Sequence, residues 1–332
     1  MDIETKKLKK LKEYNKKIDN IFPIEEGISM SKIKDYISKY GKVSLIVAIE
    51  NNESVKFMEY LVRLGADVEA RGKYIGKTPL MYAVMKNKLD VIKYLIKKHA
   101  NINSEDRLGD SVLNYVVKYG NLETVKYFVE NKLLPLNWKD LEGVSLFMSV
   151  CERGEEGIVK YLISKGVDVN IRDKYGDSPL FYAAKSGNLS LIKYLTEEKK
   201  LYILEPYVVF PAAKSGNLEL VKYLEKKGFN LNTEDKFEKS VLFYAAESGN
   251  LELVKYLVEL KGLDVNKKDI LGRTPIMYAA ESKLDVVKYL VEHGANIDVV
   301  DENGLNLFDM LKFNLDFNER DKIREYLNHR TN

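Results

Sequence analysis

The sequence is poor in the residues that surface chemistry most often requires. One cysteine, Cys151, and three histidines, His99, His293 and His329, occur in 332 residues. A single cysteine excludes an internal disulfide framework and fits a reducing compartment. It cannot supply the thiolates of a structural zinc site, and His99 and His293 are too far apart in the chain to suggest a shared metal. No apolar run reaches the ~20 residues of a membrane span. The N-terminus lacks the apolar segment of a signal peptide, so the expected location is the cytoplasm or, by delivery, a host cytosol. Glycines do not follow a strand as a phosphate loop would. Without a nucleophile beside a base, a metal cluster or an isolated acid–base pair, no enzymatic activity, no cofactor and no metal are expected.

What the sequence does have is self-similarity. The stretch Thr78 to Asp110 returns, edited, from Ser111, Val144, Ser178, Tyr207, Ser240 and Thr274, and more faintly from Val43 and Leu305. Most of these starts lie 33 or 34 residues apart, and a fixed period of this size means stacked supersecondary units. Thr78 or Ser178 is placed to cap a helix, with Pro79, Pro179 or Pro275 at its first position. Small Ala183 and Ala184 let a neighbouring helix approach closely. Gly120, Gly187, Gly216 and Gly249 are expected to end this first helix in the left-handed conformation. A second amphipathic helix follows, as in Leu251, Val254, Leu257 and Val258. His99 and His293 stand at its exit as stop residues. A short extended piece then leads to a tight Asp-x-x-Gly turn, such as Asp173 to Gly176.

The Thr-Pro-Leu-x-x-Ala opening (Thr78 to Ala83), the Gly-Asn-Leu-Glu-Leu-Val middle (Gly249 to Val254) and the Asp-x-x-Gly-x-Thr closure (Asp269 to Thr274) resemble the ankyrin repeat. The resemblance covers roughly residues 43 to 311, with eight recognisable repeats and a degenerate C-terminal one. It departs where the family's usual His after Thr-Pro-Leu is Met81, Phe181 or Met277. It implies an all-α ankyrin-repeat solenoid of stacked helix-turn-helix units with finger-like β-turn loops, expected to be monomeric alone.

Three stretches stand outside the pattern. Residues 1–42 carry eleven Lys and seven acids and hold the excess positive charge of a chain whose net charge is +3. They are expected to form a basic helical cap or arm, with Leu8, Leu11, Tyr14 and Ile18 covering the open end of the stack. Residues 312–332 become polar and form a closing cap helix and tail. The third stretch, at 196–212, interrupts the array: the spacing shortens to 29, the finger is missing or remade, and Pro211 fits a helix only in its first turn. The regular stacking should be disturbed there. The apolar cluster Leu201 to Val209 is expected to fold down into the gap, the alternative being that it is presented to a partner as part of the binding surface.

Function is expected at the concave face that stacking creates. By resemblance, that face is made by the finger tips and the exposed side of the first helices. The tips carry Tyr74, Leu108, Leu141, Tyr175, Phe237 and Leu271, and the first helices carry Lys118, Tyr119, Lys185, Lys214 and Glu247. Trp138 sits at the base of a finger. Together these are the candidate partner-binding residues of a non-catalytic protein-binding scaffold or inhibitor, since apolar and aromatic side chains dominate such contacts. The alternative is a nucleic-acid or anionic-surface binder acting through the basic arm. A row of second-helix lysines (Lys93, Lys126, Lys160, Lys193, Lys222, Lys255, Lys288), each followed by Tyr, invites the same reading. Nearby acids cancel its charge and the tyrosines should lean into the stack, so nucleic acid is not the expected partner.

Overall fold

The computed structural model describes residues 30–201, 206–314 and 316–331. The basic segment Lys6 to Lys17 therefore lies outside the described residues. The chain divides into two compact units at Leu134–Pro135.

The first unit begins with the helix Met30–Tyr40 and continues through the pairs Ser44–Glu50 with Val55–Arg63, Pro79–Met85 with Leu89–Lys97, and Val112–Tyr119 with Leu122–Glu130. The second unit holds Leu146–Glu152 with Glu156–Ser164, Pro179–Lys185 with Leu189–Lys193, and Val209–Lys214 with Leu218–Lys226. It continues with Val241–Ser248 and Leu251–Lys255, then Pro275–Ala280 and Leu284–Glu292, and ends with Leu307–Met310 and Phe317–Thr331. The helices from Leu189 and from Leu251 each run on into a π turn, Tyr194–Glu198 and Tyr256–Leu260. Among the described residues extended backbone is confined to short fingers, which close on isolated antiparallel bridges such as Glu105 to Ser111 and Glu234 to Ser240.

Local chemistry explains the boundaries. The Thr78 hydroxyl accepts the amide of Met81 at 3.4 Å, and the Ser145 hydroxyl that of Met148 at 3.1 Å, each satisfying a helix-end donor. Three second helices of the second unit are capped by asparagines that do two jobs. Asn188, Asn217 and Asn250 each accept the amide three residues on, at 3.0–3.1 Å. Each also donates its side-chain N–H to a glycine carbonyl one repeat back: Gly154 at 3.0 Å, Gly187 at 2.8 Å and Gly216 at 2.8 Å. The Gly-Asn-Leu phrase is therefore an inter-repeat tie as well as a helix start.

Two glycine and histidine assignments need correction. Gly187, Gly216 and Gly249 are left-handed, but Gly120 has φ −61. Gly120 is needed for space, because a Cβ there would lie 2.5 Å from the Val116 carbonyl oxygen. His99 is left-handed at φ 61, as a stop residue should be. His293 is not: it has φ −101, and Gly294 at φ 87 makes the reversal. The His293 ring instead stacks on Tyr289, with its Nδ1 2.8 Å from the Tyr289 carbonyl.

Within each unit the core runs along the stack. Ala183, Ala184, Ala212, Ala213, Ala245, Ala246, Ala279 and Ala280 are fully buried, which is what lets successive first helices pack closely. Phe147 and Phe243 are among the largest buried side chains of the second unit. Each contributes about 1.5–3 kcal/mol by leaving water.

Candidate protein-interaction surface

Most fingers are built around an aspartate. The Asp173 carboxylate accepts the amides of Tyr175 at 2.8 Å and Asp177 at 2.9 Å, and the hydroxyl of Tyr182 at 2.8 Å. Asp269 does the same with Leu271, Arg273 and Tyr278, at 2.9 Å each. Asp235 takes Phe237, Lys239 and Tyr244, and Asp106 takes Leu108, Asp110 and Tyr115. The turn is thus fixed to the helix nine residues on, and each tyrosine hydroxyl is pushed above its ordinary pKa by burial and by its carboxylate neighbour. The Asp-x-x-Gly spacing signals the turn in the sequence. The Tyr partner is equally periodic, but only the folded chain shows what it bonds.

Because the carboxylates hold the turn from inside, the residues at its apex point outward. In the second unit Leu141 is 88%, Tyr175 69%, Phe237 44% and Leu271 37% exposed. In the first unit the tips Tyr74 and Leu108 are likewise exposed. Of the first-helix candidates, Lys118, Lys185 and Lys214 are exposed, whereas Tyr119 and Glu247 are half-buried, as is Trp138. The charges on these helices pair between repeats. Lys185 lies 3.6 Å from Glu152, and Lys214 lies 2.7 Å from Glu247 in the next repeat.

The second unit brings several candidates together at one place. Tyr175, Lys185, Lys214 and Phe237 line a cleft of about 920 Å³ together with Phe181, Tyr207, Phe210 and Tyr244. Its floor is aromatic: Tyr207 stacks on Phe210 at 6.0 Å, and Phe210 meets Tyr244 at 5.2 Å. Phe181, Tyr207, Phe210 and Tyr244 were not among the sequence candidates. Trp138, Leu141, Glu247 and Leu271 belong to this unit but do not line the cleft, and Tyr74, Leu108, Lys118 and Tyr119 belong to the first unit.

The cleft lies at the interrupted junction. The helix Val209–Lys214 carries Pro211 in its first turn, preceded by the 3-10 turn Pro206–Val208. Of the apolar cluster, Leu201, Val208 and Val209 are buried while Tyr207 stays 51% exposed; residues 202–205 are outside the described set. The stacking disturbance expected here is restricted to the finger side. On the helix side the ties are those of a regular junction. The Asn217 bond to Gly187 is kept, and the Tyr223 hydroxyl donates to Glu197 at 3.0 Å. Lys227 lies 2.9 Å from Glu197.

That last arrangement also explains the lysine row. Lys160 lies over the ring of Tyr194 at 4.8 Å, Lys193 over Tyr223 at 5.7 Å and Lys222 over Tyr256 at 5.5 Å, each pair joining successive repeats. Glu225 receives Tyr256 and Lys261 from the following repeat as Glu197 receives Tyr223 and Lys227. Burial alone would raise the Glu225 carboxyl, but the bonds from Lys261 and Tyr256 outweigh it and hold it below the usual range. These lysines thus lie against the tyrosines of the following repeat along the stack.

Cys151 is fully buried, and burial pushes its thiol well above the ordinary value, so it is a packing residue. Among the described residues no helix is long and apolar enough to cross a membrane.

A sequence profile of the family described as ankyrin repeats (3 copies) matches residues 24–106, 45–133, 113–203 and 210–301. A Rickettsia felis protein named for its ankyrin repeats is 25% identical over 275 residues, covering 72% of this chain and 70% of its own. A Fowlpox virus protein, also named for ankyrin repeats, is 26% identical over 216 residues, 47% of this chain and 37% of its own. A Saccharomyces cerevisiae protein whose name places it with the 26S proteasome, as regulatory subunit p28, is 34% identical over 125 residues, 36% of this chain and 54% of its own. The chain thus spans between about a third and about half of the length of the latter two relatives. The solved ankyrin repeat domain of human ASB11 aligns at 24% identity with a TM-score of 0.42, covering 70% of this chain and 91% of that one.

Proposed function

The chain belongs to the ankyrin-repeat family, and from that premise we propose that it is a non-catalytic scaffold or inhibitor that holds a partner protein against its finger tips and first helices. Repeats of this family mediate protein–protein interaction. The observation that carries the reading for this chain is the file of exposed apolar tips in the second unit, Leu141, Tyr175, Phe237 and Leu271, with the aromatic cleft opening between Tyr175 and Phe237. Apolar side chains fixed by rigid turns lose little conformational freedom on binding, which is the economy that contact hot spots depend on. Lys185 and Lys214 at the cleft rim, together with Glu247, would orient the partner more than hold it, because exposed paired charges add little affinity. Tyr74, Leu108, Lys118 and Tyr119 offer a contact face of the same kind on the first unit.

The test begins with recovery of the partner from the source organism by cross-linking to the intact chain. Tyr175→Ala and Phe237→Ala should each weaken the recovered complex by about 1–2 kcal/mol with helix content unchanged. Equal losses of folding and binding would make these packing residues and defeat the reading. Binding that falls steeply with salt, and is competed by a polyanion, would favour the basic arm instead.

A further inference from the structure

The interrupted junction leaves two backbone groups without the partners that their equivalents have. In the other pairs of consecutive fingers in the second unit, the amide following the turn aspartate donates to the carbonyl at the preceding finger's tip. Lys174 donates to Glu142 at 3.1 Å, Ile270 to Phe237 at 3.0 Å and Glu302 to Leu271 at 2.9 Å. The first unit repeats the bond from Arg107 to Ile75 at 2.7 Å. By position, the Tyr175 carbonyl should accept such a bond and the Lys236 amide should donate one. Among the described residues neither does. The sequence gives the reason. Asp173 and Asp235 lie 62 residues apart, whereas the other turn aspartates of the unit lie 32 to 34 apart, so two helix pairs share the interval and one finger is absent.

Between those two groups lies the aromatic cleft. Tyr175 and Phe237 stand on either side, Phe210 and Tyr244 form the floor, and the volume is about 920 Å³. The Tyr175 hydroxyl turns back to Glu142, 2.8 Å away, so it does not cap its own carbonyl's side of the gap. Most charges of the wall are answered: Lys185 lies 3.6 Å from Glu152, Lys214 pairs with Glu247, Asp235 is consumed by its own turn and Tyr244, and the Lys236 ammonium lies over the Phe237 ring. A cleft with an aromatic floor and most of its charges answered suits an apolar occupant.

Resting on the reading of this face as a protein-binding surface, we propose that a partner's reverse-turn loop seats in the cleft as the missing finger. Its turn amide donates to the Tyr175 carbonyl. The carbonyl at its tip accepts from the Lys236 amide, and an apolar residue of the loop lies on the aromatic floor. The geometry is that of an open sheet edge, which recruits a peptide backbone through its unpaired N–H and C=O groups. A helix presents no free backbone pair along its length and could not answer both ends.

The probe is a cyclised hairpin carrying the sequence of residues 264–274, a finger of this chain, titrated into the full-length protein. Two variants separate backbone from side chain. Lys236→Ala removes the ammonium and keeps the amide. Lys236→Pro removes the amide as well, at the second position of a turn closed by the bond from Glu238 to Asp235, where proline is well tolerated. Wild type should bind the hairpin saturably, Lys236→Ala within about twofold, and Lys236→Pro about five- to tenfold more weakly, the scale of one net hydrogen bond. A hairpin N-methylated at the residue equivalent to Ile270 should lose a similar factor. No saturable binding at millimolar hairpin, or equal binding by the proline and alanine variants, would overturn finger replacement. If the recovered partner still lost affinity on Tyr175→Ala and Phe237→Ala, the broader surface reading would survive that result.

Discussion

Two stretches of the second unit have the same helix pairs and the same ties along their outer side, yet only one of them is closed. From Asp235 to Gly304 each later finger donates to the one before, and Phe243 beneath them is covered. Phe243, which meets Tyr278 at 5.5 Å, is 1% exposed. Between Tyr175 and Lys236 the helix side is tied by Asn217, Tyr223 and Lys227 as elsewhere, but the finger side has no bond. There Tyr207 is half exposed, stacked over Phe210 on the wall of a cleft. A repeat stack can therefore acquire a pocket by subtraction. Since each repeat contacts only its neighbours, deleting one finger opens one face locally while the helix-side ties carry the stack across.

The comparison breaks most sharply at the aromatic residues. Phe243→Ala, in the closed stretch, should cost about 3–5 kcal/mol in denaturant unfolding, because a full ring leaves a cavity among fixed neighbours. Phe210→Ala should cost less, about 2 kcal/mol, because Phe210, though buried, lines the cleft and water can enter the space vacated. Equal losses would mean that the junction is as closed as the rest of the unit. A smaller contrast is expected at the turn aspartates. Asp269 is buried, and its removal strands two amides and the Tyr278 hydroxyl, so Asp269→Ala should cost about 2–3 kcal/mol. Asp235, at the cleft and half-buried, holds the same kind of partners but has water at hand. Asp235→Ala should cost about 1–2 kcal/mol.

The fold was legible because its signals are local and repeated. Pro at the first helical position, Ser or Thr before it and Asp-x-x-Gly closing each unit specify short-range geometry, and the structure keeps them at Pro79, Ser145 and Asp173. The tips were legible for the same reason: a side chain at the apex of a fixed turn has nowhere to go but outward. The cleft was not. Phe181 is half-buried where its equivalents Met148, Phe243 and Met277 are buried, and it lines the cleft with Phe210 and Tyr244 because a finger is missing some thirty residues away in sequence. Gly120 misled because the pattern shows a glycine without showing whether φ or space demands it. The lysine row was set aside as a polyanion track because nearby acids cancel its charge, but its tyrosine partners, one repeat away, could not be seen in the sequence.

Acid should act on both stretches alike, because the carboxylates concerned lie on the helix side. Hydrogen bonds from Lys227 and Tyr223 hold the Glu197 carboxyl below its ordinary value of 4.5, and those from Lys261 and Tyr256 do so for Glu225. A depressed folded pKa contributes stability that is fully present above the unfolded value. It is lost as pH falls through the folded one. Melting temperatures recorded from pH 6 downward should therefore begin to fall near pH 4.5, and the fall should be shallower in Glu225→Gln, which has no such carboxyl to protonate. An unchanged acid slope in that variant would show that the tie from Glu225 adds nothing to the folded state.

The smallest effect on stability is expected at Tyr207, and it is also the most informative about function. Its ring lies flat against Phe210, but half of the residue faces solvent, so Tyr207→Ala forfeits one stacking contact and little buried area. The cost should stay within about 0.5 kcal/mol, as for surface substitutions away from caps and cores. A residue kept only for the stack would have no further use for that exposed half. If the cleft receives a partner's loop, the same substitution should weaken hairpin binding severalfold while the melting curve is unmoved, because an aromatic platform is lost from the site and not from the fold. The reverse outcome, a clear drop in stability with hairpin affinity intact, would place Tyr207 with Leu201, Val208 and Val209 as filler for the gap. The cleft would then be a seam in the packing, and binding would have to be sought at the tips alone.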